Sequence, residues 1–136
     1  MSALEDLHEL CRSSLDGLGK EHRSGHQKVH ARRYVVPRSD GSTAETVIIV
    51  KPGSNLQVWC EAKVADRMIA AALGGTPRPG SETYAKINDK GDKVYGRHAA
   101  LKTMDHLHRG DAYHFTPKTP HEVDRILDLI VNGGGK

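Results

Sequence analysis

The sequence predicts an α/β (α+β) fold, a small mixed sheet with helices packed against it in the order α-β-β-β-α-(loop)-α-β-α. Three observations predict it. Apolar residues recur at helical spacing near both ends: Leu4, Leu7, Cys11 and Leu18, then Val123, Ile126, Leu127, Ile130 and Val131. Between them, residues 32–63 hold three runs of good strand formers separated by turn chemistry. The last two runs carry apolar side chains on both faces, Ile48, Val50, Leu56, Val58 and Cys60 on one and Val47, Ile49 and Trp59 on the other. A sheet so composed needs cover on both sides, which favours layering over a half-exposed sheet.

Each element has its local reason. Ser2 with Glu5 three residues on is a capping box, and a helix follows over 3–16, ended near Gly17 and Gly19. Residues 18–28 are polar and glycine-containing and read as a loop. Residues 32–36 form a strand, with Tyr34, Val35 and Val36 as strand formers, and Asp40-Gly41 is a hairpin signal. The next two strands are 43–50 and 56–63, joined around Lys51-Pro52-Gly53-Ser54-Asn55. A symmetric loop sets Val50 opposite Leu56, Ile48 opposite Val58 and Glu45 opposite Glu61. Residues 64–73 turn helical, with Val64, Met68, Ile69, Ala72 and Leu73 on the inner side, and 74–80 ends that helix. Residues 74–97 read as an exposed loop containing a small hairpin over 84–95. Residues 98–108 read as a short helix with Leu101, Met104 and Leu107 inward, followed by a turn at Arg109-Gly110-Asp111 and a strand over 112–116. Thr119-Pro120-His121-Glu122 is a second capping box with proline at the first helical position. Gly133–Gly135 closes the last helix, and 133–136 read as a disordered tail.

A chain of 136 residues is one domain with room for a core, which must rest on Val, Ile, Leu and Ala because there is one Phe and one Trp. No stretch approaches the roughly 20 apolar residues that span a bilayer. The N-terminus lacks a basic flank followed by an apolar run, so no signal peptide is expected, and the expected location is cytoplasmic. Cys11 and Cys60 fall inside predicted elements and read as buried thiols.

The net charge of +3 is unevenly spread. Residues 20–33 carry Lys20, Arg23, Lys28, Arg32 and Arg33 against a single acid, Glu21. Such a stretch suits phosphates or an acidic protein surface. Arg97 and His98, after Gly96 at a predicted helix start, pair cationic side chains with free backbone N–H groups, a second anion-receiving pattern. Both sets are expected nucleic-acid contacts, for DNA or RNA. His22, His26 and His30 recur every four residues and on a helix would align as Zn²⁺ ligands. Ser24 and Gly25 argue against a helix there, so this set reads as a basic loop.

The one constellation that suggests chemistry is Glu45, Glu61 and Lys63, which strand alternation puts on one face. Opposed like charges are unfavourable unless offset, and a divalent cation offsets them, as does open solvent. The helix, three strands, helix and strand over roughly residues 3–116, with Glu45 and Glu61-Ala62-Lys63 on the second and third strands, resemble the PD-(D/E)xK nuclease superfamily. Glu45 follows Ala44 where that family has Asp after Pro; Asp40, three residues after Pro37, is the alternative first acid. The resemblance implies Mg²⁺ held by Glu45 and Glu61, with Lys63 assisting the attacking water. The expectation is a small basic nucleic-acid-binding protein, to which the resemblance adds Mg²⁺-dependent nuclease activity. Two alternatives stand beside it: a non-catalytic module that binds an acidic protein, such as an inhibitor or immunity-type protein of a mobile element, and an oligomerisation domain.

Overall fold

The computed structural model describes residues 3–26 and 30–133. The chain runs through α1 (Ala3–Leu18), β1 (Lys20–Glu21), β2 (Ala31–Pro37), β3 (Thr43–Ile49), β4 (Gln57–Glu61), α2 (Arg67–Ala72), β5 (Thr76–Arg78), β6 (Lys86–Ile87), β7 (Lys93–Val94), β8 (Ala112–Phe115) and α3 (Pro120–Asn132). Six strands form one sheet in the order β1-β2-β3-β4-β8-β5, and β6 with β7 forms a separate hairpin. Every pairing is antiparallel, where a mixed sheet was expected.

The α/β class and the cover on both faces are as the two-sided apolar pattern requires. On one face α1 and α3 pack against each other and β2. Leu7, Cys11 and Leu15 meet Val36, Ile48, Val58 and Phe115, and α3 adds Val123, Ile126 and Ile130. On the other face Ala31, Val47, Ile49 and Trp59 lie beneath Ala100, Leu101, Met104 and Leu107. That second lid is the 99–107 segment, and it carries the candidate site. Both cysteines are free and buried, and burial pushes the Cys11 thiol up to about 12. No described helix is long and apolar enough to cross a membrane.

The β3–β4 register is the predicted one, with Thr46 opposite Cys60 and Ile48 opposite Val58. Its extension to Lys63 fails. The Glu61 carboxylate accepts the Glu45 N–H at 2.7 Å, β4 ends at Glu61, and Lys63 enters a 3₁₀ turn over Ala62–Val64. Alternation cannot carry Lys63 onto the face of Glu45 once the strand has stopped.

Other departures have similarly local causes. The helix expected over 64–73 starts at Arg67, because Asp66 caps it by accepting the Ile69 N–H at 2.9 Å. Met68, expected to fill the core, is 84% exposed. β5 falls where a loop was expected; Pro77 and Pro79 argue against a strand, and this one is an edge strand paired only with β8. β1 likewise occupies part of the expected 18–28 loop. The helix expected over 98–108 is reduced to a 3₁₀ turn at Ala99–Leu101, with Leu101, Met104 and Leu107 still inward. Its backbone donors at 105–107 are taken by a side chain instead, as described below.

The 84–95 hairpin and the last helix are found where expected. The 84–95 hairpin turns at Asn88, whose Oδ1 accepts the N–H of Lys90 and Asp92 at 2.9 and 3.0 Å. The Thr119–Glu122 capping box is fully made, and α3 closes at Gly133 with φ +75°. Of the tail expected to be disordered over 133–136, Gly133 is placed as the cap of α3, and 134–136 lie outside the described residues.

Candidate metal centre and basic face

Glu45 sits on β3 opposite Val35 of β2 and faces the 99–107 lid. It is 4% exposed. A carboxylate so deep must be hydrogen-bonded or paired. Its Oε1 accepts the N–H groups of His106 (2.7 Å) and Leu107 (3.0 Å), and its Oε2 accepts that of Asp105 (3.1 Å). Three successive backbone donors wrapped on one anion form a nest. This explains why the lid is not helical there.

His22 and Asp105 complete the group. Nε2 of His22 stands 3.5 Å from Glu45 Oε2 and 3.3 Å from Asp105 Oδ2. The imidazole is 2% exposed, and its Nδ1 lies 2.8 Å from the Ser24 hydroxyl while receiving the Ser24 N–H at 3.1 Å. Arg23 grips both oxygens of Asp105, Nη1 reaching Oδ2 at 2.6 Å and Nη2 reaching Oδ1. That guanidinium, against a smaller opposing effect of desolvation, holds the Asp105 carboxyl below its usual value. One ligand atom from each of His22, Glu45 and Asp105 lies within 4.8 Å of the others, so the three could hold a metal ion.

The predicted constellation is thus only partly assembled. Glu45 and Glu61 are neighbours, but Glu61 is spent on the Glu45 backbone N–H, and Glu45 Oε1 is taken by two N–H groups of the nest, which leaves Oε2 with a single donor. Lys63 is exposed on its turn, where its charge helps depress Asp40 after the bonds from Ser42 have done more. The metal-capable partners of Glu45 are His22 and Asp105 instead. His22 is marked only by its four-residue spacing to His26 and His30, and no local signal pairs it with Asp105, 83 residues away.

The predicted phosphate contacts are mostly used inside the molecule. Arg33 is buried, giving its Nε–H to Ala100 O at 2.8 Å and its Nη1–H to Gly25 O at 2.7 Å. Arg32 binds the Tyr34 hydroxyl at 3.2 Å and Asp16 at 3.4 Å. Arg97 is fully enclosed, donating to Glu82 and to the carbonyls of Leu107, Arg78 and Pro79. His98 accepts the Ala100 N–H at 3.0 Å and so caps the 3₁₀ turn. Lys20 is exposed on β1, and Lys28 lies outside the described residues.

Positive charge gathers elsewhere. Lys86, Lys90 and Lys93 stand exposed on the β6–β7 hairpin, and the exposed Lys102 and Arg109 flank the lid. Beside Lys102 and Arg109, Tyr84, Tyr95 and His108 form a ring cluster, with Tyr95 and His108 stacked at 5.3 Å. The Lys102 ammonium lies 5.8 Å from the Tyr95 ring and the Arg109 guanidinium 5.4 Å from the Tyr84 ring. The close approach of Gly80 fixes this arrangement: a Cβ there would stand 2.2 Å from the Arg109 carbonyl. The exposed acids of the hairpin are Asp89 and Asp92. Burial first, then Arg109 and Lys102, hold the His108 imidazole below its usual value.

Three further histidines behave alike. Burial lowers His26, His98 and His114, with nearby cations adding to each. Their folded values lie below the free value of about 6.5, so the unfolded chain binds more protons as the pH drops. Stability is therefore fully present above about pH 6.5 and is lost as pH falls through the folded values. Thermal melts should show Tm declining well before ordinary carboxylates titrate near pH 4. A Tm flat from pH 7 to about 5 would contradict it.

No family model matches the chain, and neither a curated protein nor a solved structure matches it.

Proposed function

We propose that this protein binds nucleic acid through the face formed by the β6–β7 hairpin and the 102–109 segment. The observation that supports the reading is the set Lys86, Lys90, Lys93, Lys102 and Arg109, exposed on the hairpin and the 102–109 segment and in no ion pair among the described residues. Ammonium groups on an exposed hairpin follow a phosphate backbone without reading bases. The aromatic rings are half-buried and already covered by cations, so contacts to phosphate outweigh stacking on bases. Lys20 and Arg23 are a lesser part of this reading, because Asp105 neutralises Arg23.

Fluorescence anisotropy with single- and double-stranded DNA and RNA oligonucleotides, in chelator, tests it. Affinity should fall steeply with salt, by a log–log slope of about −0.7 to −0.9 per phosphate neutralised. Lys86→Ala, Lys90→Ala and Lys93→Ala together should flatten that slope by about 2–3, while Lys118→Ala with Arg125→Ala should leave it unchanged. An unchanged slope in the hairpin variant, or no retention at low salt, would sink the reading.

A second reading has its own observation. Ile87 is 60% exposed amid the lysines, a setting that fits an acidic protein partner. A specific co-purifying partner, lost on Ile87→Asp and insensitive to salt, would favour it. The Mg²⁺-dependent nuclease is the catalytic arm of the first reading. It needs Glu45, Glu61 and Lys63, whose arrangement gives it little support, and a plasmid left intact by the wild type with Mg²⁺ or Mn²⁺ would end it.

A further inference from the structure

We propose that His22, Glu45 and Asp105 form a four-coordinate site for a nitrogen-accepting divalent ion of the Zn²⁺ or Co²⁺ kind, with water as the fourth ligand. Were the His22 Nε2–H simply hydrogen-bonded to two carboxylates, contacts of about 2.7–2.9 Å would be expected for such charge-assisted bonds. The observed separations are 3.3 and 3.5 Å. Donors held about 2.0–2.2 Å from one ion at the tetrahedral angle stand roughly 3.3–3.6 Å apart. The imidazole thus sits at the edge length of a coordination tetrahedron and too far out for good hydrogen bonds.

The surroundings fit the same assignment. A ligating imidazole needs its second nitrogen held; with an ion on Nε2 the ring proton would move to Nδ1 and be given to the Ser24 hydroxyl 2.8 Å away, in place of the Ser24 N–H bond that Nδ1 accepts here. Glu45 is oriented by three backbone N–H groups, so its carboxylate is fixed before any ion arrives. Two of the three donors are enclosed, but the Asp105 side chain is 39% exposed, which opens the fourth corner to water. One nitrogen and two oxygens, with both nitrogen-to-oxygen edges at tetrahedral length, suit Zn²⁺ or Co²⁺ better than Mg²⁺, which takes oxygen ligands in octahedra. Arg23 is the built-in competitor: its guanidinium holds the same Asp105 oxygens that an ion would use.

Cobalt reads this directly. The full chain, freed of metal by chelator and dialysed, is titrated with Co²⁺ at neutral pH while the visible ligand-field absorption is followed. The wild type should develop the intense band of four-coordinate Co²⁺, saturating at one equivalent and abolished by Zn²⁺. Asp105→Asn should weaken binding more than about tenfold. Its backbone N–H stays on Glu45, and a melt in chelator verifies that the variant is folded. Arg23→Gln, a change at an exposed side chain, should bind more tightly than wild type because the competitor is gone. The chain has nine histidines, so Co²⁺ taken up at its surface would persist undiminished in Asp105→Asn. That result overturns the inference, as does a folded wild type with no four-coordinate band, or an Arg23→Gln protein that binds no more tightly. The nucleic-acid measurements are made in chelator and stand or fall separately.

Discussion

Glu45→Ala is expected to destabilise the protein by about 3–5 kcal/mol, measured by chemical denaturation in chelator. The Glu45 carboxylate is the acceptor for three successive N–H groups of the lid and is itself 4% exposed. Removing it orphans those donors, and each buried unsatisfied group costs about 1–3 kcal/mol. Glu45→Gln keeps one carbonyl oxygen for His106 and Leu107 but turns an amide N–H₂ toward the Asp105 N–H, so a smaller loss of about 1–2 kcal/mol follows. The midpoint should shift with an unchanged denaturant slope. A loss below about 1 kcal/mol for the alanine variant would mean that the lid re-forms its bonds elsewhere.

Arg97→Ala should cost a similar amount, about 3–5 kcal/mol, for a different reason. Its guanidinium has no exposed surface, and it ties four groups from three segments together: Glu82, the carbonyls of Arg78 and Pro79, and that of Leu107. Truncation leaves those carbonyls without that donor and a cavity behind them. Arg97→Lys should recover little, because an ammonium cannot reproduce a planar fork with donors in several fixed directions. Hydrogen exchange should localise the damage, with protection lost over residues 78–109 before the α1–α3 side of the sheet. Uniform loss across the sheet would refute the assignment of Arg97 as a local clamp.

These two residues also mark where sequence reasoning stopped. Glu45 was singled out as an acid opposed to Glu61, and the register behind that reading is the one found. The error lay in the partner. Alternation tells which face a side chain leaves from, and it does not tell what comes over that face. The 105–107 backbone and the His22 imidazole arrive from distant segments, and Lys63 was lost to a strand that ended two residues early. Arg97 was read as an exposed anion site because glycine then arginine then histidine looks the same whether solvent or carbonyl oxygens wait beyond it. The same holds for Arg32 and Arg33, cations in the sequence but internal donors in the fold. Lys86, Lys90 and Lys93 lie on the hairpin expected over 84–95, and the structure leaves them exposed.

By itself the sequence determined the elements whose causes are local. The helical stripes and the Thr119 capping box, the two-residue alternation of β3 and β4, the turn at Gly53 and the apolar faces are all set by neighbours within a few positions. Only the tertiary structure decided which buried charges meet which donors. Such pairings are fixed when the 99–107 segment closes over the sheet, and the free energy that selects them comes from desolvation and hydrogen bonding between residues far apart in the chain.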